Sequence, residues 1–349
     1  MAHAPIEEIR KIEPVDAEAS ASVHAVLDYC HELMGRTDSK LMSGQFIGWY
    51  PEHSMDAIDQ IYAQTGKHVA IIGIDYYEPH QQADDSTEPH THKPPRWREV
   101  NPLAKEYWAR GGLPALSVHM SNPYTGGKSW DVSIRADFDM LDAGTEVGQR
   151  YLQQIDEIAD GLEDLQKEGI VVLFRPFHEA QGAWFWWGAP EPELGKAMWR
   201  HMFDYYTKER GLHNLIWVNN NPLNLYPGND TVDMNSFDCY STTPVDKADL
   251  YEEMVHTGKP YAIAEFGPSG STADPDSDRN HDYSTLAQQA MEIGSGVVYF
   301  LTWRDAWGLH RNPGSKELLS NPLVLNRDDL VRELVPRISD HPLNAPSST

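Results

Sequence analysis

Cysteine is almost absent: Cys30 and Cys239 are the two among 349 residues, far apart and without CxxC or any other metal-type spacing. A disulfide framework and a cysteine-built metal site are thereby excluded, leaving room for one isolated bridge at most. Basic residues are scarce as well, 28 Lys and Arg against 53 Asp and Glu, giving a formal net charge of −25. Nucleic acids and anionic membrane surfaces select basic proteins, so neither is an expected partner. A well-solvated surface accounts for the acidity. No apolar run approaches the ~20 residues that span a bilayer, and the opening "MAHAPIEEIRK" lacks the apolar stretch of a secretory signal. The GxGxxG turn of dinucleotide-binding sheets, the GxSxG elbow of serine hydrolases and the HExxH pair of zinc proteases are all missing. "NDT" at 229–231 fits a glycosylation acceptor, a triplet that also arises often by chance.

What is present is a recurring alternation. Eight strand-like runs follow one another at 40–46, 68–77, 113–120, 170–179, 214–221, 236–241, 260–267 and 296–303. Several are continuously apolar, as parallel strands covered on both faces must be. Helical patterns lie between many of them. The clearest is 145–169, where Leu152, Ile155, Ile158, Leu162 and Leu165 recur at spacings of three and four before Gly169. The stretches 193–211 and 54–67 also end at or near glycine. Length alone allows two domains or one large barrel. The alternation predicts an α/β fold, a single (β/α)8 TIM barrel over 39–335, with an N-terminal extension and first helix in 1–38 and a tail at 336–349.

In such a barrel the carboxyl-terminal ends of the strands form one bowl. Polar groups collect there: Asp75, His119, Glu179, Asn219 to Asn221, Asp238, Tyr240, Glu265, and Trp303 with Arg304. Glu179 and Glu265 follow the apolar segments of strands four and seven, three places apart in the ring, and can face each other across it. A carboxylic acid and a carboxylate in that relation are what glycoside hydrolysis requires. A lone glutamate at a strand end is more often a salt-bridge or capping residue, and it is the pairing that carries the reading. His178 next to Glu179 is a poor metal pair, because neighbours on an extended strand point to opposite faces. Trp184, Trp186, Trp187, Trp303 and Trp307 sit close to these strand ends. Indole faces pack against pyranose rings, although some of the five must be packing residues.

The segments "FRPFHEAQGAWFWWG", "IAEFG", "LMSGQ", "SVHMSNP", "FDCY" and "LTWRDAWG", in order between about 40 and 310, together resemble glycoside hydrolase family 26, dominated by endo-β-1,4-mannanases. The resemblance implies Glu179 as acid/base and Glu265 as nucleophile of a retaining reaction, with no metal or organic cofactor. It further implies roles at the substrate for His119, His178, Trp184, Tyr240, Trp303 and Arg304; Trp187 is placed with them for its nearness to the strand end, as cleft wall or packing. Tyr240 would hydrogen-bond the nucleophile and Arg304 would reach the −2 sugar. Asp238 belongs to the same set, its partner being either substrate or protein. The expected substrate is mannan, glucomannan or galactomannan, or mannooligosaccharides, handled by a monomer. An extracellular location is expected, through a signal peptide absent from this sequence, with a periplasmic or intracellular one left open.

Alternatives within the family are β-1,3-xylan or mixed-linkage β-glucan as substrate, and exo action. From a different class comes a carbohydrate-binding pseudoenzyme, disfavoured because a binding protein has no need for a carboxylate pair. The segment 78–102 is long and rich in proline and histidine. His80, His90 and His92 lack fixed ligand spacing and are read as solvated rather than metal-bound. A long loop on this face shapes a cleft; if it blocks one end, short products leave from a chain end.

Overall fold

The computed structural model describes residues 13–36, 38–77, 94–267 and 281–340. Eight parallel strands close into a ring: β1 (Gly44–Trp49), β2 (Ile71–Asp75), β3 (Leu113–Ser117), β4 (Val172–Arg175), β5 (Leu215–Asn219), β6 (Met234–Cys239), β7 (Tyr261–Phe266) and β8 (Val297–Thr302). Each pairs with the next, and β8 closes on β1 through Gln45 and Thr302. Beneath β1 the short pieces Leu41–Met42 and Val324–Leu325 pair in parallel, so both ends of the barrel sequence meet there.

Successive strand residues face opposite sides. In β5, Ile216 and Val218 enter the barrel interior with Leu173 and Leu301, while Leu215 and Trp217 pack outward with Val172 and Phe174. Gly73 points inward, where a Cβ would meet Phe46 and Leu301 within 2.9 Å. Outside lie α1 (Ala21–Gly35), α2 (Asp56–Thr65), α3 (Trp97–Ala109), α4 (Glu146–Gln166), α5 (Pro192–Asp204), α6 (Ala248–Met254), α7 (Leu286–Ile293), α8 (Ser315–Leu319), α9 (Arg327–Glu333) and α10 (Val335–Asp340). The apolar spacing read in 145–169 becomes the buried face of α4, with Ile155, Ile158, Leu162 and Leu165 inward.

Two boundaries differ from the sequence reading. Strand four, expected to run to 179, stops at Arg175 because Pro176 has no N–H for the ladder; residues 176–181 are turns. The segment 336–349, expected as a tail, begins inside α10, whose Arg337 reaches Glu32 of α1 at 2.6 Å. Residues 78–93, with His80, His90 and His92, and residues 341–349 lie outside the described residues.

Helix α1 joins the interior cluster through Val23, Val26, Leu27, Cys30 and Leu33. Cys30 and Cys239 are both buried free thiols, and burial pushes each up to about 12. His31 is 3% exposed with no hydrogen-bond partner at either ring nitrogen among the described residues. Burial, with Lys259 adding to it, pushes its pKa down from 6.5 to about 4. The folded state therefore refuses a proton that the unfolded chain accepts. The contribution is intact above pH 6.5 and is lost as pH falls from there toward 4. At pH 5 that loss is about 2 kcal/mol, or about 3 °C in Tm for a chain of this size. His31→Leu is expected to lose correspondingly less stability between pH 7.5 and 5, read by calorimetry at both pH values; equal losses in parent and variant would exclude this origin.

Candidate active site

Arg175, the last residue of β4, is buried at the centre of the carboxyl-terminal face. Its Nη1 donates to Asp238 Oδ2 at 2.7 Å and its Nη2 to Glu265 Oε1. Asp238 on β6 and Glu265 on β7 are register partners across a bulge, which brings both carboxylates to one guanidinium. Burial alone would lower the Arg175 pKa, and the two anions outweigh it, holding the group charged. Asp238 Oδ1 accepts from Asn220 Nδ2 at 2.9 Å, so both of its oxygens have protein partners. Glu265 Oε2 accepts from the Tyr240 hydroxyl at 2.6 Å. Burial and the nearby carboxylates hold that phenol protonated, well above its usual range. Gly267 lets this happen: a Cβ there would meet the Tyr240 ring at 2.4 Å.

Glu179 stands in the turn after β4 with φ +55, and Phe177 precedes it at φ +49. The two asparagines that follow β5 pin that turn. Asn220 Oδ1 accepts from the Glu179 N–H at 3.0 Å, Asn221 Oδ1 accepts from the Ala180 N–H at 2.8 Å, and Asn221 Nδ2 donates to the Phe177 carbonyl at 3.0 Å. The Trp184 indole donates to Glu179 Oε2 at 2.8 Å. Burial first, and then the charge of Glu265, push Glu179 up to about 7, against that indole donor and Arg175. One oxygen each from Glu179, Asp238 and Glu265 lies within 4.8 Å of the others. Such a cluster would suit a cation, but Arg175 already donates to two of the three.

His119 and His178 are joined at Nε2 to Nε2, 3.2 Å apart. His119 Nδ1 faces Asp75 Oδ2 at 2.8 Å; the carboxylate can only accept, so His119 Nε2 accepts in turn from His178. Burial, then Arg175, hold His178 neutral, far below the usual imidazole range. Its Nδ1 is buried with no partner among the described residues.

Of the tryptophans, Trp184 is 40% exposed beside Glu179. Trp187, expected at the substrate, is fully buried: its Nε1 donates to the His178 carbonyl at 2.9 Å and its ring stacks on Phe185 at 4.4 Å. It braces the turn that carries Glu179 from behind and presents no face to a sugar. Trp186 is equally buried, donating to the Met120 carbonyl at 2.8 Å. Trp303 stacks on Phe46 at 4.0 Å, and the Arg304 guanidinium lies 4.6 Å over Trp49 while holding Glu52 at 2.5 Å. The clamp by Arg175, the aromatic floor of Phe46 and Trp49, and Glu52 had no assigned role in the sequence reading. An aromatic pair closing the first strand was the available signal for the floor.

The family model described as Glycosyl hydrolase family 26 matches residues 15–329. A mannan endo-1,4-beta-mannosidase of Bacillus subtilis is 31% identical over 336 residues, covering 91% of this chain and 90% of that protein. Mannan endo-1,4-beta-mannosidase A and B of Caldalkalibacillus mannanilyticus is 32% identical over 89% of this chain, which spans 62% of that protein's length. Among solved structures, Bacillus subtilis mannanase man26 superposes with a TM-score of 0.77 at 30% identity, covering 91% of this chain and 96% of that one. A beta-mannanase from a symbiotic protist of the termite Reticulitermes speratus, complexed with gluco-manno-oligosaccharide, gives 0.72 at 25% identity over 91% and 97%.

Proposed function

Since the chain belongs to glycosyl hydrolase family 26, we propose that it is a retaining endo-β-1,4-mannanase acting on mannan, glucomannan or galactomannan. The observation that carries the reading is the pair Glu179 and Glu265, with oxygens within 4.8 Å and opposite environments. Retaining enzymes hold the carboxyl groups about 5–5.5 Å apart, and inverting ones about 6.5–9.5 Å.

In the first step Glu179 gives its proton to the glycosidic oxygen as that bond to the anomeric carbon breaks. Glu265 attacks the same carbon and forms a glycosyl ester. A pKa raised to about 7 leaves a large share of Glu179 protonated near neutral pH, where an ordinary glutamate would be fully ionised. Arg175 and Tyr240 donate to Glu265, one to each oxygen, and hold it in place for attack. Once the ester forms, the negative charge of Glu265 is gone, and one of the causes that raised Glu179 goes with it. Its pKa falls, so Glu179 stands as the carboxylate it must be to take a proton from the attacking water. As water adds to the anomeric carbon, Glu265 leaves as carboxylate and meets its two donors again.

The indole face of Trp184 stands beside the acid, where the leaving sugar departs, while Trp303 with Arg304 serves the glycone side. His178, kept neutral, supports His119 from behind through the Nε2 to Nε2 hydrogen bond. All these groups come from one chain, as a monomer requires. Among the described residues no helix is long and apolar enough to cross a membrane; a polymeric substrate favours a location outside the cytoplasm over one inside it.

Product analysis on linear mannan and mannohexaose tests the reading. The expected outcome is mixed internal products whose new reducing ends first appear in the β configuration. Activity confined to β-1,3-xylan, or initial α products, would overturn it.

A further inference from the structure

The loop carrying Trp184 has little regular structure of its own. It folds so tightly that a Cβ on Gly188 would meet the Gly182 carbonyl at 2.2 Å, and one on Gly182 would meet the Trp184 ring at 2.3 Å. Its outer support comes from the segment after β3. The Trp186 N–H donates to the Ser129 carbonyl at 2.9 Å, and the Ala136 N–H to the Trp186 carbonyl at 3.0 Å. Beside this seam sits Arg135. Its Nη2 donates to the Ala183 carbonyl at 2.7 Å, and its Nη1 to those of Phe185 at 3.2 Å and Gly188 at 3.1 Å. These carbonyls flank Trp184 on both sides. In a chain of net charge −25, no carboxylate pairs with Arg135 among the described residues; its donors go to backbone. One planar guanidinium thus fixes the orientation of three peptide units.

We propose that Arg135 is a positioning residue for the general acid, acting through Trp184. Without it the 182–188 loop keeps its two-bond seam but loses the fork that sets the angle of the indole. The hydrogen bond from Trp184 to Glu179 Oε2 is then lost, together with the wall on the leaving-group side. That bond favours the charged carboxylate, so its loss moves the proton of Glu179 in the same direction whether Trp184 is deleted or merely released. The proposal rests on the reading of Glu179 as acid/base.

The test is a double-mutant cycle with Arg135→Ala and Trp184→Phe, using mannohexaose across pH, with thermal unfolding to verify folding. Arg135→Ala alone is expected to lower kcat/KM about tenfold to a hundredfold and to shift the alkaline limb in the same direction as Trp184→Phe. The double variant is expected to match Trp184→Phe alone within about twofold. Multiplying losses, or an alkaline limb unchanged in Arg135→Ala, would overturn the proposal. Arg135→Lys, which keeps the charge and one point of donation, carries the same cycle should the alanine variant not fold. A second arm needs no substrate: the fluorescence difference between the parent and Trp184→Phe is titrated with pH, with a midpoint expected near 7. Loss of that titration in Arg135→Ala supports the proposal, and its survival refutes it. If the parent does not cleave mannan the functional reading fails, and this arm still decides the role of Arg135.

Discussion

Glu265→Ala is expected to fold like the parent and to cleave mannan at least about 10⁴-fold more slowly, the scale on which removal of a covalent nucleophile acts. Folding should survive because Arg175 keeps Asp238 as a partner, and Asp238 keeps Asn220. What disappears is the atom that attacks the anomeric carbon, together with the acceptor for Tyr240. The space left beside Arg175 admits a small anion. With azide and a mannoside bearing an activated leaving group, attack from that side must invert the centre and give the α-mannosyl azide. Mass spectrometry and NMR of the product read this directly. A β-azide, or activity near that of the parent, would remove Glu265 from the nucleophile's role.

Glu179→Gln is expected to give a different signature, because the proposed acid/base acts in both steps. On mannan the loss is expected to be about 10²–10⁴-fold, the usual share of general acid catalysis. With an activated aryl leaving group the first step needs no proton and proceeds, while the second lacks its base. A burst followed by a slow steady state should result, with the glycosyl ester visible by mass spectrometry. The parent's activity should fall as pH rises through about 7, where Glu179 loses its proton, and that limb should be absent from the variant. Equal losses on both substrates without a burst, or an alkaline limb that persists, would reassign the acid.

The barrel was legible because the code for it is local: apolar runs that alternate with amphipathic helices, and polar groups where the runs end. Glu265 sits on β7 as read, inside the strand and ahead of Gly267. Glu179 was legible as a residue and misplaced as an element, since Pro176 ends the ladder and hands the glutamate to a turn held by the asparagines that follow β5. The role of Arg175 needed the register of β6 against β7, which sets Asp238 beside Glu265 after a bulge that no local pattern marks. Trp184 and Trp187 are three residues apart in an irregular loop. Neither a period of two nor one of 3.6 applies there, so no sequence rule could say that one faces the cleft and the other the core. Arg135 was out of reach for the same reason: its partners are backbone carbonyls, and a carbonyl has no letter.

The left-handed backbone at Glu179 has an evolutionary side. That conformation disfavours any side chain with a Cβ by about 1–2 kcal/mol, and glycine or asparagine would occupy it with less resistance. Drift toward greater stability would therefore erase the carboxylate, and only selection on turnover retains it. A lineage released from that selection should lose its acid at this position sooner than it loses Glu265, whose β-strand backbone exerts no such pressure.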